Sequence, residues 1–174
     1  MIEYLCIIQA RLGSTRFPNK VMETVEGIPM VKRVWLAAKL ASSIIGTAKM
    51  QVVVAWPERY PDLDQNNVLE RFRRLVKEFN AKKVIRLTAD CPLIQAGDIL
   101  DAINTFSKKS NTRYFNNRHD GSDVQIFESW LLFAPEMSNL TDQEHVIKDK
   151  PNVGGLSVNT KSDLKYIRSL VNGK

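Results

Sequence analysis

IIQARLGSTRFPNK, residues 7–20, joins an apolar strand to a loop that carries Arg11, Arg16 and Lys20 and no acid. Leu5, Cys6, Ile7 and Ile8 make residues 4–9 a nearly continuous apolar run, the pattern of a strand buried on both faces. Gly13 and Ser14 let the backbone approach a ligand, and backbone N–H groups there can cradle phosphate oxygens. Arg11 and Arg16 offer bidentate forks, and Lys20 a point charge. The loop has one glycine and lacks the GxxxxGK[ST] spacing of a P-loop. It reads as a polyphosphate-holding loop at the mouth of a buried strand. The plainer alternative is a solvated basic loop.

Outward from this stretch, strand and helix alternate. Residues 29–42 read as a helix opened by Pro29, with Val31, Val34, Trp35 and Ala38 on one stripe. QVVVA, 51–55, is a second buried strand, and 56–66 a polar loop. Residues 67–79 place Val68, Phe72, Leu75, Val76 and Phe79 at helical spacing. KVIRLT, 83–88, is a third strand, followed by a helix over 96–108. Strand and turn are expected over 113–127 around Asp120–Gly121. Short helices are expected near 128–134 and 141–149, a short strand at 153–158 and a closing helix at 161–171. This order predicts an α/β fold with parallel strands and helices on both faces of the sheet. Ligands in such sheets bind beyond the carboxyl ends of the strands, so loops 10–20 and 89–94 should share one edge.

The second of these loops lies in TADCPLI, 88–94. An aspartate ending a buried strand is a candidate metal ligand, and magnesium favours one or two carboxylates plus phosphate oxygens. The alternative is that Asp90 caps the next turn. NNRHDGSDVQIF, 116–127, carries amides with Arg118, His119, Asp120, Asp123 and Gln125, groups suited to a polyhydroxylated or anionic ligand. On the residues alone a β-turn at Asp120–Gly121 with polar flanks is the stronger reading. His145 in QEHV reads alone as an ordinary helical residue. Thr160, with Asp163 three residues on, reads as a helix start.

Bulk properties narrow the classes. The 174 residues suit one domain, residues 1–174, with a single core. Apolar content of 44% and charged content of 25% are ordinary for a globular chain. A net charge of +6 fits a small anionic ligand as well as nucleic acid. No nucleic-acid motif is present and the cations are not interleaved with aromatics, so no nucleic-acid partner is expected. The apolar runs are too short to span a bilayer, and MIEYLCIIQ lacks the pattern of an export signal. Cys6 and Cys91 without a CxxC, and two histidines, argue against a disulfide framework or a zinc cluster. A cytoplasmic location is the expectation.

Taken in order, IIQARLGSTRFPNK, GIPMVKRV, NNVLERF, VIRLTADCPLI, DGSDVQIF, EHV and VNTKSDL resemble the segments of cytidylyltransferases. The spore-coat polysaccharide branch is the most similar. Enzymes that activate 3-deoxy-manno-octulosonate and acylneuraminates as CMP-sugars are more distant. The first segment and TADCPLI are specific; the others gain weight from their order. The resemblance implies a Rossmann-like nucleotidyltransferase fold, three-layer α/β/α with a mostly parallel sheet, in a compact variant. It implies transfer of CMP from CTP to a sugar acid or related acceptor, with magnesium as cofactor and release of pyrophosphate. By position, Ala10, Arg11, Gly13, Ser14, Arg16 and Lys20 match the family's triphosphate loop, and Arg11 and Lys20 join Asp90, its magnesium aspartate, as catalytic candidates. Arg86 matches an arginine that helps hold the nucleotide. Asn117, Arg118, Asp120, Asp123, Gln125 and His145 match the acceptor side, and the resemblance admits a homodimer.

Three departures stand out. The family's second candidate metal aspartate is Asn159 here, an oxygen donor without charge. The chain is short between the second strand and NNVLERF, and again between Phe127 and the last expected strand. A nucleotide-binding protein that has lost turnover is therefore the alternative reading.

Overall fold

The computed structural model describes residues 1–14, 16–64, 67–109, 112–117, 123–135 and 156–172. Strand β1 (Ile2–Gln9) leads through a small hairpin, β2 (Thr24–Val25) and β3 (Ile28–Pro29), into helix α1 (Met30–Ile45). Then follow β4 (Met50–Ala55), α2 (Val68–Phe79), β5 (Ala81–Thr88), α3 (Ala96–Lys108), β6 (Tyr114–Asn116) and β7 (Gln125–Glu128). Helix α4 (Lys161–Asn172) is the last described element.

The main sheet has the order β4-β1-β5-β7-β6. β1 pairs in parallel with β4 and with β5, while β7 is antiparallel to both β5 and β6. Four of the five strands therefore run one way, and the sheet is mostly parallel as expected. Strand β1, flanked by β4 and β5, sends alternate side chains to opposite faces, because successive Cβ atoms in a strand point opposite ways. Tyr4, Cys6 and Ile8 join Val31, Val34, Ala38 and Ala41 of α1 and Ile99, Ala102 and Phe106 of α3. Leu5 and Ile7 join Leu69, Phe72, Leu75 and Val76 of α2 on the other face. A third, smaller cluster gathers Phe17, Val25, Met30 and Val158 with Leu164 and Ile167 of α4.

Several expectations shift. Trp35 is 36% exposed and falls off the buried stripe of α1, which runs Val31, Val34, Ala38 and Ala41. The indole sits at the margin of that face, with the Lys39 ammonium 5.9 Å from its ring centroid. The short helix expected near 128–134 is present as a 3-10 helix, Ser129–Phe133. The described part of the expected strand at 153–158 pairs into no ladder; Val158 instead donates its N–H to the Asp90 carbonyl at 2.9 Å. The expected helix at 141–149 and the Asp120–Gly121 turn lie outside the described residues. The hairpin β2–β3 was not expected. Its turn is Glu26–Gly27, with φ of 50° and 72°, the left-handed pair that matches the twist of a two-residue hairpin.

Candidate nucleotide site

The first strand and the third parallel strand end side by side. β1 and β5 stay in register to Gln9 and Thr88, and the Ala89 N–H donates to the Gln9 carbonyl at 3.0 Å, one step beyond the β5 strand. Loops 10–20 and 89–94 thus leave the sheet at one edge, as the topology required. The first loop folds back on itself. The Leu12 carbonyl accepts from the N–H groups of Ser14 and Asn19, each at 2.9 Å, and Asn19 adopts a left-handed φ of 56°. Phe17, buried in the third cluster, anchors the loop from below. Ala10, Ser14 and Lys20 are buried, whereas Arg11, Gly13 and Arg16 are exposed around them.

Lys20 is where three segments meet. Its ammonium donates to Asp90 Oδ2 at 2.5 Å, to the Val158 carbonyl at 2.9 Å and to Asn159 Oδ1 at 3.4 Å. The Asp90 carbonyl accepts the Val158 N–H, so strand end and late segment are joined once directly and again through Lys20. Asn159 is aimed by its neighbours. Its Nδ2 donates to Ser157 Oγ at 3.0 Å, which leaves Oδ1 facing the ammonium.

The start of α4 fixes this segment. Asp163 Oδ2 accepts from the N–H groups of Asn159 at 2.9 Å and Thr160 at 2.8 Å, while the Asp163 N–H donates to Thr160 Oγ1 at 3.2 Å. This reciprocal box is the helix start read from the sequence. The Asn159 N–H, then those around Thr160, hold the Asp163 carboxyl below the ordinary aspartate range. A lowered native value means that this stabilisation is complete above the unfolded aspartate pKa of about 3.9 and is lost as pH falls through the native value. Thr160→Ala should cost about 1 kcal/mol of stability, read by denaturant melts. Asp163→Asn should flatten the acid limb of stability against pH below about 4. An unchanged limb would remove the box from the ledger of acid stability.

Two arginines brace the site from outside it. Arg33 Nε donates to the Pro92 carbonyl at 3.2 Å, and its Nη1 to the Val25 carbonyl at 3.2 Å and Glu26 Oε2 at 2.9 Å. It ties the loop after Asp90 to the hairpin after Lys20. Arg168 Nε of α4 donates to the Thr24 carbonyl at 2.9 Å. Sequence reasoning missed both, and the one signal for Arg33 was its place in GIPMVKRV.

Arg86 lies on the other face of the sheet, with the α2 side chains. Its Nε donates to Gln9 Oε1 at 3.0 Å and its Nη1 to Gln125 Oε1 at 2.6 Å, across β1, β5 and β7. The structure thereby joins a nucleotide candidate directly to an acceptor candidate, and adds Gln9, which the sequence did not single out. Its signal was a polar residue ending an apolar strand. Arg71 of α2 is fully buried: burial lowers its pKa, Glu58 and Asp64 oppose this, and Arg11 adds to it.

Asn117 Oδ1 accepts the Val124 N–H at 2.7 Å, so part of its work is to close the β6–β7 pair. It also lines a cleft of about 300 Å³ between α3 and β6, together with Asp98, Asp101, Thr105, Phe115 and Asn116. Because β6 runs parallel to β5, Asn116 at the end of β6 and Asn117 after it lie at the same sheet edge as the loop after β5. Asp123 follows the undescribed stretch directly and is partly buried. Arg118, Asp120 and His145 lie outside the described residues. Cys91 is buried, 3.1 Å from Thr88 Oγ1, and burial pushes its thiol up to about 12, which makes it a packing group and no nucleophile.

Among the described residues, no three His, Cys, Asp or Glu side chains converge on one point. Asp90 and Asn159 supply oxygen donors, and with the Val158 carbonyl they already surround a cation, the Lys20 ammonium. Such a donor set fits a hard divalent ion that takes its other ligands from phosphate and water.

A mostly parallel sheet with a cationic loop after its first strand and an aspartate after β5 defines an α/β nucleotidyltransferase fold. Within that class the chain belongs to the cytidylyltransferase family, whose profile matches residues 5–152. It is 35% identical over 106 residues to the 3-deoxy-manno-octulosonate cytidylyltransferase of Maricaulis maris, covering 52% of this chain and 39% of that protein. It is 26% identical over 167 residues to the spore coat polysaccharide biosynthesis protein SpsF of Bacillus subtilis, covering 84% and 69%. The chain spans less than half the length of the octulosonate enzymes that it matches first. A cytidylyltransferase structure from Leptospira borgpetersenii superposes with a TM-score of 0.77 at 19% identity, covering 100% of this chain and 88% of the other. That likeness carries the fold. Among the described residues no helix is long and apolar enough to cross a membrane.

Proposed function

We propose that this chain, acting as one domain, transfers CMP from CTP to a hydroxyl of a sugar acid or related acceptor and releases pyrophosphate, in the synthesis of a surface polysaccharide or glycoconjugate. The observation that carries the reading is the convergence of loop 10–20, Asp90 and Asn159 on one buried ammonium at the carboxyl edge of the sheet. An acceptor oxygen attacks the α-phosphorus, the bond to the bridging oxygen breaks, and charge gathers on the leaving pyrophosphate. Chemistry of this kind is served chiefly by positioning and by fixed charge. Arg11, Arg16 and Lys20 supply that charge, and the backbone at Gly13 and Ser14 the close approach. Asp90 and Asn159 would hold magnesium, which when bound neutralises phosphate charge. Arg86, with Gln9 and Gln125, orients groups around the nucleotide. The cleft beside Asn117 takes the acceptor, with Arg118, Asp120, Asp123 and His145 assigned to the same side.

Asn159 favours a second reading, a protein that binds the nucleotide but turns it over poorly, because its amide brings no charge to the metal. A pyrophosphate-release assay with each of the four NTPs, magnesium and a panel of sugar acids and sugar phosphates separates the two. Release with CTP alone among the four is the expected result. Calorimetric binding of CTP without release across the panel would support the second reading, and binding of no NTP would overturn both.

A further inference from the structure

We propose that Lys20 is a placeholder for the divalent cation: its ammonium fills the seat made by Asp90 Oδ2, Asn159 Oδ1 and the Val158 carbonyl, and yields it when a nucleoside triphosphate arrives. The proposal rests on the reading of Asp90 as the metal carboxylate, and adds the main-chain oxygen of Val158 to the seat.

The geometry supports it first. A lysine ammonium has three donors and no acceptor, and all three directions of Lys20 meet an oxygen, at 2.5, 2.9 and 3.4 Å. Lys20 is only 8% exposed, so its charge is held by these oxygens more than by water. A small dication binds oxygen at about 2.0–2.1 Å. Seated on Asp90 Oδ2, it would stand within about 5 Å of an ammonium that stayed in place, and like charges that close in a partly buried site repel strongly. The two cations therefore exclude each other.

Charge balance supplies the second argument. The Asp90 carboxylate and the Lys20 ammonium already cancel, and Asn159 adds no charge. The Asp163 carboxylate also feels Lys20, but it is bound to the N–H groups of Asn159 and Thr160. A free metal ion thus meets a neutral seat. The balance changes only when triphosphate oxygens offer the ammonium another partner.

Lys20 can make that move cheaply. It opens a 3-10 turn at the end of the phosphate loop, and its four-carbon stem can swing by side-chain rotation alone. Its departure frees the seat at the moment when the phosphates bring their own oxygens for the metal. Metal and nucleotide would then enter together, with the lysine passing from carboxylate to phosphate.

The test is manganese binding, followed by electron paramagnetic resonance of the free ion, with and without a non-hydrolysable CTP analogue. Lys20→Met should bind Mn²⁺ at least about ten-fold more tightly than the unaltered protein when no nucleotide is present. Equal or weaker binding in Lys20→Met overturns the proposal. Should that variant fail to fold, the ammonium itself gives the answer by ¹H–¹⁵N NMR of lysine NH₃⁺ groups in the unaltered protein. The Lys20 signal should leave its shielded environment when Mg²⁺ and the analogue are added together. A signal that stays unchanged with both bound overturns the placeholder role. Asp90→Asn that binds Mn²⁺ with the analogue as tightly as the unaltered protein would instead overturn the metal reading beneath it.

Discussion

Asp90→Asn should lower the rate of pyrophosphate release by about 10²–10³-fold, the loss typical when one preorganised electrostatic group is removed from a reacting centre. The substitution keeps size and shape and deletes only charge. The Asp90 main-chain carbonyl still accepts the Val158 N–H, so the late segment stays docked. The Asp90 side chain is 23% exposed, and an amide there is solvated without a large penalty. What goes is the carboxylate that balances Lys20 and, in the proposed reaction, would offer a charged oxygen to magnesium. Steady-state release measured beside a thermal melt separates these effects. A variant that melts normally and works at the unaltered rate would take Asp90 out of the chemistry.

Phe72→Ala should be the most damaging change away from the site. Phe72 is fully buried in the face where α2 covers the sheet, in one cluster with Leu5, Ile7, Val84 and Phe127. Deleting a buried phenyl ring costs about 3–5 kcal/mol through lost transfer energy and the cavity left behind. Against a typical total of about 5–15 kcal/mol this is a large share. For a chain of this length each kcal/mol lowers the melting temperature by roughly 2–4 °C, so a drop of roughly 6–20 °C is expected. A shift under about 2 °C would mean that the neighbours collapse into the space.

Where the sequence read well, one local signal dominated. The apolar run before Gln9 could only be a buried strand, and the alternation that follows it left little choice of fold class. Helix α3 matches its expected limits, and its start is closed by a capping box between Gln95 and Asp98. Where the sequence read poorly, the deciding partner was remote or the element too short. β2 and β3 have two residues each, below the length at which alternation can be seen. Trp35 had the right spacing for the core but stood at the margin of the stripe, a distinction set by which neighbours reach it. Arg33 depends on a carbonyl 59 residues away. The edge shared by Lys20 and Asp90 was legible from topology. Their direct contact was not, because a cation in a phosphate-type loop and an aspartate at a strand end each signal a ligand and not one another. The Val158 carbonyl carries no side-chain signal at all.

The third cluster, beneath the site, has a kinetic meaning. Phe17 and Val25 come from the first part of the chain, Val158, Leu164 and Ile167 from the last, and the Lys20–Val158 bond spans 138 residues. Contacts over such separations carry a high loop-closure cost and form after local structure is in place. The sheet and its three covering helices can therefore assemble while the site is still open, and the site closes when α4 arrives. In the native state the same order runs backwards. A small cluster separate from the two that cover the sheet can release below the free energy of global unfolding. Such a release would open a clasp on the frame, and the clasp is the part that holds Lys20, Asp90 and Asn159 together.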